Sequence, residues 1–266
     1  MIRTFCRGAI HFLLFARIVV FSFSDYVLRI ACRGKSGDVR ARAEWLRRWS
    51  IRTLKDLRVT VTRRGTPPSA GLLTSNHLSY LDILVLSSTH PMVFVAKSEV
   101  RGWPVMGRLA RCAGTLFIRR DRKADVARVN AAFDDVIRDG VVVAVFPEGT
   151  SWNGEVILPF HSSMFQPVVD SGWKVTPASV GYTMTEGSVS ERVCYWGDMT
   201  FLPHFLRLLA QRGIHATVTF GPPLPSGLDR KQLAQEARRW TCELGGVPPA
   251  EGGGRLTAPR AVSTAR

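Results

Sequence analysis

Residues 71–89 read GLLTSNHLSYLDILVLSST, and this stretch decides the fold. Gly71–Ser75 is a short apolar run with the length of a strand, and Ser79–Ser87 carries a helical pattern. A polar loop with Asn76 and His77 joins the two. A short strand that leads through a loop into a helix is the repeating unit of α/β proteins.

The same alternation extends from about Leu57 to Pro225. Further β-rich runs are predicted at Leu57–Thr62, Met92–Ala96, Thr115–Ile118, Val141–Phe146, Val175–Gly181 and His215–Phe220. Helical patterns lie between them at Val105–Cys112 and Lys123–Arg138. Several strands are apolar throughout, as strands covered on both faces are. We therefore predict an α/β fold with a mostly parallel sheet flanked by helices, and functional groups in loops at one sheet edge.

The first such loop contains His77 and Asp82, which are five residues apart. On one continuous helix they would point about 140° apart and could not pair. They can meet if His77 lies in the loop and Asp82 in the first helical turn. Asp82 would then fix the imidazole tautomer and leave the other nitrogen as a base. The alternative is that Ser79-x-x-Asp82 is a helix capping box and His77 only a turn residue.

Two more loops follow later strands. Gly114–Arg120 ends in two arginines, which either clamp an anion or are simply solvated. Val145–Ser151 ends an apolar strand in a Pro-Glu-Gly turn, and its amides and hydroxyls either bind an anion or only build the turn. Glu148 does not suit an anion site, so we expect it to bind a hydroxyl or an arginine.

Together the three loops resemble the motifs of the glycerophospholipid acyltransferase family, of the lysophosphatidic acid acyltransferase (PlsC-like) type. The family pattern NH-x4-D is matched at Asn76, His77 and Asp82, and FPEGT is matched from Phe146 to Thr150. The pattern G-x-x-F-I-x-R is matched at Gly114, Phe117, Ile118 and Arg120, and a proline-containing strand is matched more weakly at Pro177. The resemblance covers about residues 40–225.

The resemblance implies transfer of a fatty acyl group from acyl-CoA or acyl-carrier protein to the hydroxyl of 1-acyl-glycerol-3-phosphate, which yields phosphatidic acid. It makes His77 the general base and Asp82 its orienting partner. It assigns substrate binding to Asn76, Arg120, Glu148, Gly149, Thr150 and Pro177. A thioester is already activated, so neither a serine nucleophile nor a metal or other cofactor is required, and the sequence has no G-x-S-x-G elbow.

Two segments depart from the commonest family pattern. Phe160–Phe165 lacks the usual Lys and Gly, and Arg119 stands where members commonly carry an acidic residue. The run from Tyr195 to His204 resembles lyso-ornithine-lipid acyltransferases. Because ornithine lipids carry no phosphate, a lyso-ornithine lipid or another lyso-lipid is the alternative acceptor, and Arg120 would then bind another group.

The formal charge of +15 is concentrated at the N-terminus, where residues 1–64 hold 15 Lys or Arg and 4 Asp or Glu. Ala9–Phe23 is an apolar helix of roughly 22 Å with Arg17 at its middle, too short for the roughly 30 Å core of a bilayer. A second helix near Ala43–Leu57 has a tryptophan-bearing apolar face and a basic face. We predict that residues 1–56 attach the protein to an anionic membrane surface, at the cytoplasmic side of the inner membrane. A signal peptide, a buried core helix and an ordinary solvated amphipathic helix are the alternatives.

The rest of the sequence supplies the domain limits. Residues 57–246 are the predicted acyltransferase domain, and the Pro/Gly/Ala-rich residues 247–266 are predicted to be disordered. Five scattered cysteines with no zinc spacing favour a reducing compartment and no metal site. A nucleic-acid-binding protein ranks lower, because the basic residues alternate with aliphatic runs and no reading module is recognisable. An idle membrane scaffold has no reason to keep both His77 and Asp82.

Overall fold

A computed structural model describes residues 2–35, 37–119 and 123–251, without the side chains of residues 2–11 and 123–130. Seven strands form one sheet in the order β1-β7-β6-β2-β5-β3-β4, and β6 and β7 are the antiparallel pair in it. The strands are β1 (Thr60–Arg64), β2 (Gly71–Ser75), β3 (Met92–Lys97), β4 (Leu116–Ile118), β5 (Val142–Val145), β6 (Val175–Met184) and β7 (Ile214–Phe220). All seven predicted strands are present, and the mostly parallel α/β prediction is confirmed.

Helices cover the sheet on both sides. They are α1 (Ile2–Tyr26), α2 (Val39–Asp56), α3 (Leu81–Thr89), α4 (Met106–Cys112), α5 (Lys123–Arg138), α6 (Gln166–Ser171), α7 (Val189–Arg192), α8 (Phe201–Leu209) and α9 (Arg230–Gly245). A π-helical turn, Val27–Ala31, continues α1, and short 3-10 turns occupy Ser98–Gly102 and Ser162–Phe165. The sequence pattern did not predict α8 or α9.

Adjacent residues of the central strands point into different apolar clusters. Leu73 and Val142 belong to the cluster beneath α2 and α3, whereas Leu72 and Val143 belong to the cluster beneath α5 and α9. This alternation is what a strand covered on both faces requires. The central strands are therefore packed on both faces, and the loops at their ends begin at buried positions.

Strand β6 lies between a parallel neighbour, β2, and an antiparallel neighbour, β7. Thr74 of β2 pairs with Pro177, while the β7 ladder begins at the next residue, Ala178. The Pro177 carbonyl still accepts from Gly221 N at 2.8 Å, just beyond the end of β7. Proline has no N–H to donate, so it fits at the end of a ladder. Beyond the end of β2, β6 continues to Met184 and overhangs the loop that carries His77.

The N-terminal helices pack on the domain. Trp45 of α2 is buried and makes a T-shaped ring contact with Tyr26. Its Nε1 donates to the Ser22 carbonyl at 3.1 Å. Helix α1 is longer than predicted, yet no helix in the described ranges is long and apolar enough to cross a bilayer. The interpretation of α1 as a buried core helix is wrong, because Leu13 is 67% exposed and several neighbours are also exposed.

The C-terminal segment begins with ordered contacts. Ile157 donates to the Pro248 carbonyl and accepts from Ala250 N, at 2.9 and 3.0 Å. The prediction of disorder from Val247 is therefore wrong for residues 247–250, whose backbone groups are paired with another loop. Residues 252–266 lie outside the described residues.

Candidate active site

The loop after β2 brings His77 and Asp82 together. His77 Nδ1 lies 2.8 Å from Asp82 Oδ2. Asp82 occupies the first turn of α3 and His77 the loop before it, which is the arrangement that the spacing requires. The Asp82 carboxylate is fully buried, whereas the His77 side chain is 20% exposed. The imidazole can thus reach a substrate while its partner is shielded from water.

Asp82 also organises the loop. Its Oδ2 accepts from the backbone N–H groups of Leu78 and Ser79 at 2.7 and 2.9 Å. Only one half of the predicted capping box is present, because Asp82 accepts from Ser79 N while Asp82 N donates to the Ser79 carbonyl instead of its hydroxyl. The same carboxylate thus holds both the turn and His77. Its Oδ1 accepts from the Tyr182 hydroxyl at 2.7 Å. Tyr182 lies on the overhanging part of β6, and burial, followed by the charge of Asp82, raises its pKa well above the usual value.

Glu148 joins the two loops that flank the site. Its Oε1 accepts from His77 N at 2.7 Å and its Oε2 accepts from Leu158 N at 3.0 Å. Burial raises the pKa of Glu148 to about 8, although both backbone donors act in the opposite direction. Each oxygen accepts a backbone N–H, so the carboxyl group holds the His77 backbone in place. Contact with an arginine or a substrate hydroxyl stays a prediction.

Asn76 connects the same loop to β6. Its Nδ2 donates to the Val180 carbonyl at 2.9 Å, and its Oδ1 accepts from Val180 N at 2.8 Å. The side chain is buried, and both ends of its amide are bonded to backbone. The predicted role of Asn76 in substrate binding stays a prediction that this geometry does not favour, because its polar atoms support the fold.

The turn after β5 lies beside His77. Gly149 has a φ of 74°, a conformation that favours glycine, and it donates to the Phe146 carbonyl at 3.1 Å. Trp152 N donates to the His77 carbonyl at 2.9 Å, which ties the turn to the first loop. Gly149 and Thr150 are partly exposed and thus accessible to a ligand. Their predicted role in substrate binding stays a prediction.

Pro177 is not brought into this set of contacts. Pro177 is buried within the sheet, where its ring lies close to Gly221. Its position supports a role in shaping β6, and its predicted contact with a substrate groove stays untested. Arg120, the predicted anion ligand, lies outside the described residues.

Comparisons with known proteins cover the part of the chain that contains these loops. An acyltransferase family model matches residues 58–181, a range that includes both loops. The chain is 35% identical over 193 residues to the lyso-ornithine lipid O-acyltransferase of Pseudomonas aeruginosa, covering 72% of this chain and 74% of that protein. The chain belongs to the glycerophospholipid acyltransferase family.

Other members of this acyltransferase family show the same likeness. The lyso-ornithine lipid O-acyltransferase of Rhodobacter capsulatus is 40% identical over 60% of each chain. The 1-acyl-sn-glycerol-3-phosphate acyltransferase of Neisseria gonorrhoeae is 36% identical over 58% of this chain and 60% of that protein. The crystal structure of the acyltransferase PlsC from Thermotoga maritima has the same fold, with a TM-score of 0.67, 18% identity, and coverage of 92% and 95% of the two chains.

Sequence reasoning missed the contacts of two residues with His77 and Asp82. Tyr182 is 100 residues from Asp82 along the chain, and no spacing pattern signals that contact. The Phe146 ring stacks on the His77 imidazole, with centroids 4.0 Å apart and planes 12° apart. Phe146 was recognised as part of the FPEGT pattern, but its contact with His77 depends on the pairing of β2 with β5.

Proposed function

We propose that the protein is an O-acyltransferase that moves a fatty acyl group from a thioester to the free hydroxyl of a lyso-lipid. The contact between His77 Nδ1 and Asp82 Oδ2 carries this proposal. It commits one imidazole nitrogen to a buried carboxylate, and no described residue bonds Nε2. That arrangement is suited to general-base chemistry on a hydroxyl.

The proposed reaction proceeds in two proton transfers. The acceptor hydroxyl gives its proton to Nε2 as its oxygen attacks the thioester carbonyl carbon. The carbon–sulfur bond then breaks, and the imidazolium returns the proton to the leaving thiolate. Asp82 holds Nδ1–H and stabilises the transient positive charge. Stacking on Phe146 keeps the imidazole plane in one orientation.

We propose lyso-ornithine lipid as the first acceptor to test. The relatives with that name include one at 40% identity and one at 35% identity over 72% of this chain. The segment from Tyr195 to His204, which resembles that branch, packs against the catalytic loop. Tyr80 of the loop contacts His204 Nδ1 through its hydroxyl at 2.9 Å, and its ring lies 5.8 Å from that of Tyr195.

Lysophosphatidate is the second candidate acceptor. The Neisseria relative with that specificity in its name is 36% identical to this chain. The FPEGT turn, with Gly149 and Thr150 partly exposed beside His77, supports a phosphate-bearing acceptor. Acyl-CoA and acyl-carrier protein are the two candidate donors, because both supply an activated thioester.

We further propose that the protein acts at the cytoplasmic face of the inner membrane, attached through α1 and α2. Exposed apolar side chains on α1 and the net charge of +11 in residues 1–64 support attraction to anionic lipid. The protein would then meet its lyso-lipid acceptor within the leaflet.

An acyl-transfer assay on the purified full chain tests the proposal. Oleoyl-CoA and oleoyl-acyl-carrier protein are each offered with lyso-ornithine lipid and with lysophosphatidate, and acceptor-dependent thiol release is measured. We expect release with at least one pair and a loss of at least ~100-fold in His77→Ala. His215→Ala is the matched control, since His215 lies on β7 and contacts Thr60 of the edge strand β1 rather than His77 or Asp82. Undiminished activity in His77→Ala would refute the mechanism.

A further inference from the structure

The large apolar side chains that are exposed in the described residues are concentrated in three segments. Seven lie on α1 and the π-helical turn after it, two on the turn from Trp103 to Val105, and two on α8. They are Phe12, Leu13, Val20, Phe21, Phe23, Val27, Leu28, Trp103, Val105, Leu202 and Leu206. Isolated exposed apolar residues are ordinary on a protein surface, whereas a contiguous set marks an interaction site.

Ring contacts join the three segments. Phe15 of α1 meets Phe205 of α8 edge-on, with centroids 4.7 Å apart. Trp103 meets Phe201, the first residue of α8, at 5.6 Å. The three segments are therefore neighbours on the protein surface, and we call their exposed apolar side chains the α1–α8 face.

Helix α8 is apolar on both of its sides. His204, Phe205 and Leu208 are buried, while Leu202, at 58% exposed, and Leu206 face outward. The nine-residue helix contains no acidic residue, and its one charge is Arg207. A helix at a water-facing surface normally presents charged and polar residues on its outer side. Leu202 and Leu206 on the outer side of α8 instead suit contact with an apolar phase outside the protein.

The turn before α4 supplies an independent observation. Val105 has a φ of 60°, a left-handed conformation that is a strained outlier for a β-branched residue. The Val105 side chain is exposed beside Trp103, so the turn presents an apolar tip to its surroundings. Docking against an external apolar phase would remove this tip from water.

We propose that α8 and the turn from Trp103 to Val105 join α1 in a single face that docks on an anionic phospholipid bilayer. Membrane contact then extends well beyond the N-terminal helices.

The positive charge around this face favours an anionic bilayer over a protein as its partner. Residues 100–112 contain three arginines and no acidic residue, and Arg17 and Arg207 lie within α1 and α8. Basic residues around an apolar surface with Trp and Phe are typical of a membrane interface.

The position of α8 gives this surface a functional consequence. Tyr80 precedes Asp82 by two residues, and its ring lies 5.3 Å from that of Phe201 and 6.1 Å from that of Phe205. Its hydroxyl contacts His204 of α8. The docked bilayer would therefore meet the protein beside the catalytic loop. A lyso-lipid, the acceptor class on which this inference rests, could reach His77 without leaving the leaflet.

The test compares full-length variants in co-sedimentation with vesicles of phosphatidylcholine and phosphatidylglycerol. For Leu202→Glu/Leu206→Glu we expect vesicle affinity at least ~10-fold weaker, because two apolar contacts are replaced by charges repelled from the lipid. Leu202→Asn/Leu206→Asn should show a smaller loss. Val169→Glu is the matched control, since Val169 is exposed on α6, away from the α1–α8 face. Circular dichroism verifies that each variant is folded.

Acyl transfer separates this inference from the proposed function. The Leu202→Glu/Leu206→Glu variant should lose activity on lyso-lipid embedded in vesicles and keep it on a short-chain lyso-lipid dispersed in solution. Wild-type vesicle affinity in this variant, or an equal loss in Val169→Glu, would overturn the docking face. If vesicle binding follows the expected pattern but no protein transfers acyl groups, the docking face stands and the proposed function fails.

Discussion

Asp82 and Glu148 are both buried carboxylates, in the segments that follow the neighbouring parallel strands β2 and β5. Asp82 accepts from an imidazole, a tyrosine hydroxyl and two backbone amides. Glu148 accepts from two backbone amides, and burial raises its pKa to about 8. The two buried carboxylates therefore differ in their contacts. The first holds the imidazole that we propose as the base, and the second connects two loops.

The largest effect is expected at the carboxylate that orients the base. In Asp82→Asn, the amide cannot accept from all the donors that surround Asp82, and the His77 tautomer is no longer fixed. We expect kcat to fall ~1,000-fold or more while the protein stays folded. Asp229→Asn, at the exposed cap of α9, is the control and should keep wild-type kcat. A fall of less than about tenfold would mean that Asp82 is structural, like Glu148.

The pH dependence of stability distinguishes Glu148 from Asp82. The folded-state pKa of Glu148 is raised from 4.5 to about 8, so the folded protein retains a proton that the unfolded chain releases. The contribution of this group to the free energy of unfolding is complete below about pH 4.5 and is lost as the pH rises toward 8. The slope is at most about 1.4 kcal/mol per pH unit.

Urea unfolding of wild type and Glu148→Gln from pH 5 to 9 measures this slope. Glu148→Gln loses one acceptor at every pH, which gives a constant offset, and its unfolding free energy should decline less between pH 5 and 8. Titrating groups common to both proteins cancel in the difference. Parallel curves would show that Glu148 does not titrate in this range.

A smaller effect is expected at the hydroxyl that supports Asp82. Tyr182→Phe removes the donor to Asp82 Oδ1 and leaves that buried oxygen without its tyrosine partner. We expect kcat to fall about tenfold, equivalent to a hydrogen bond of about 1.4 kcal/mol to a charged group. Tyr26→Phe, at the junction of α1 and α2, is the control. Unchanged kcat in Tyr182→Phe would mean that the remaining donors suffice to orient Asp82.

The smallest effect concerns the contact between the two loops. Phe146→Leu keeps an apolar side chain but removes the ring that stacks on His77. We expect kcat to fall about threefold, within the range of about 0.5–1.5 kcal/mol for aromatic pairs. A loss as large as that of Asp82→Asn would show that the β5 loop contributes directly to orienting the base.

Local pattern was sufficient to predict much of this molecule. Strand β2 matched its predicted bounds, Gly71–Ser75, because apolar runs and turn residues are properties of neighbouring positions. The meeting of His77 and Asp82 was predictable for the same reason, since five residues of loop and helix decide it. The contacts of Tyr182 with Asp82 of α3 and of Asn76 with Val180 of β6 depend on strand register, which no local spacing specifies. Helix α8 was not predicted because its nine residues form only about two and a half turns, and Pro203 near its start resembles a turn signal.

The bonds that assemble the site also determine when it exists during folding. Glu148 to His77, Asn76 to Val180 and Tyr182 to Asp82 join residues 71, 104 and 100 positions apart. Contacts between residues so far apart in sequence form only when the central strands have paired. Proteins that depend on such contacts fold more slowly than proteins with mostly local contacts. The catalytic geometry is therefore a product of the complete central sheet rather than of any one motif. A nascent chain acquires it only after β6 has left the ribosome, and until then it displays the FPEGT motif without an organised site.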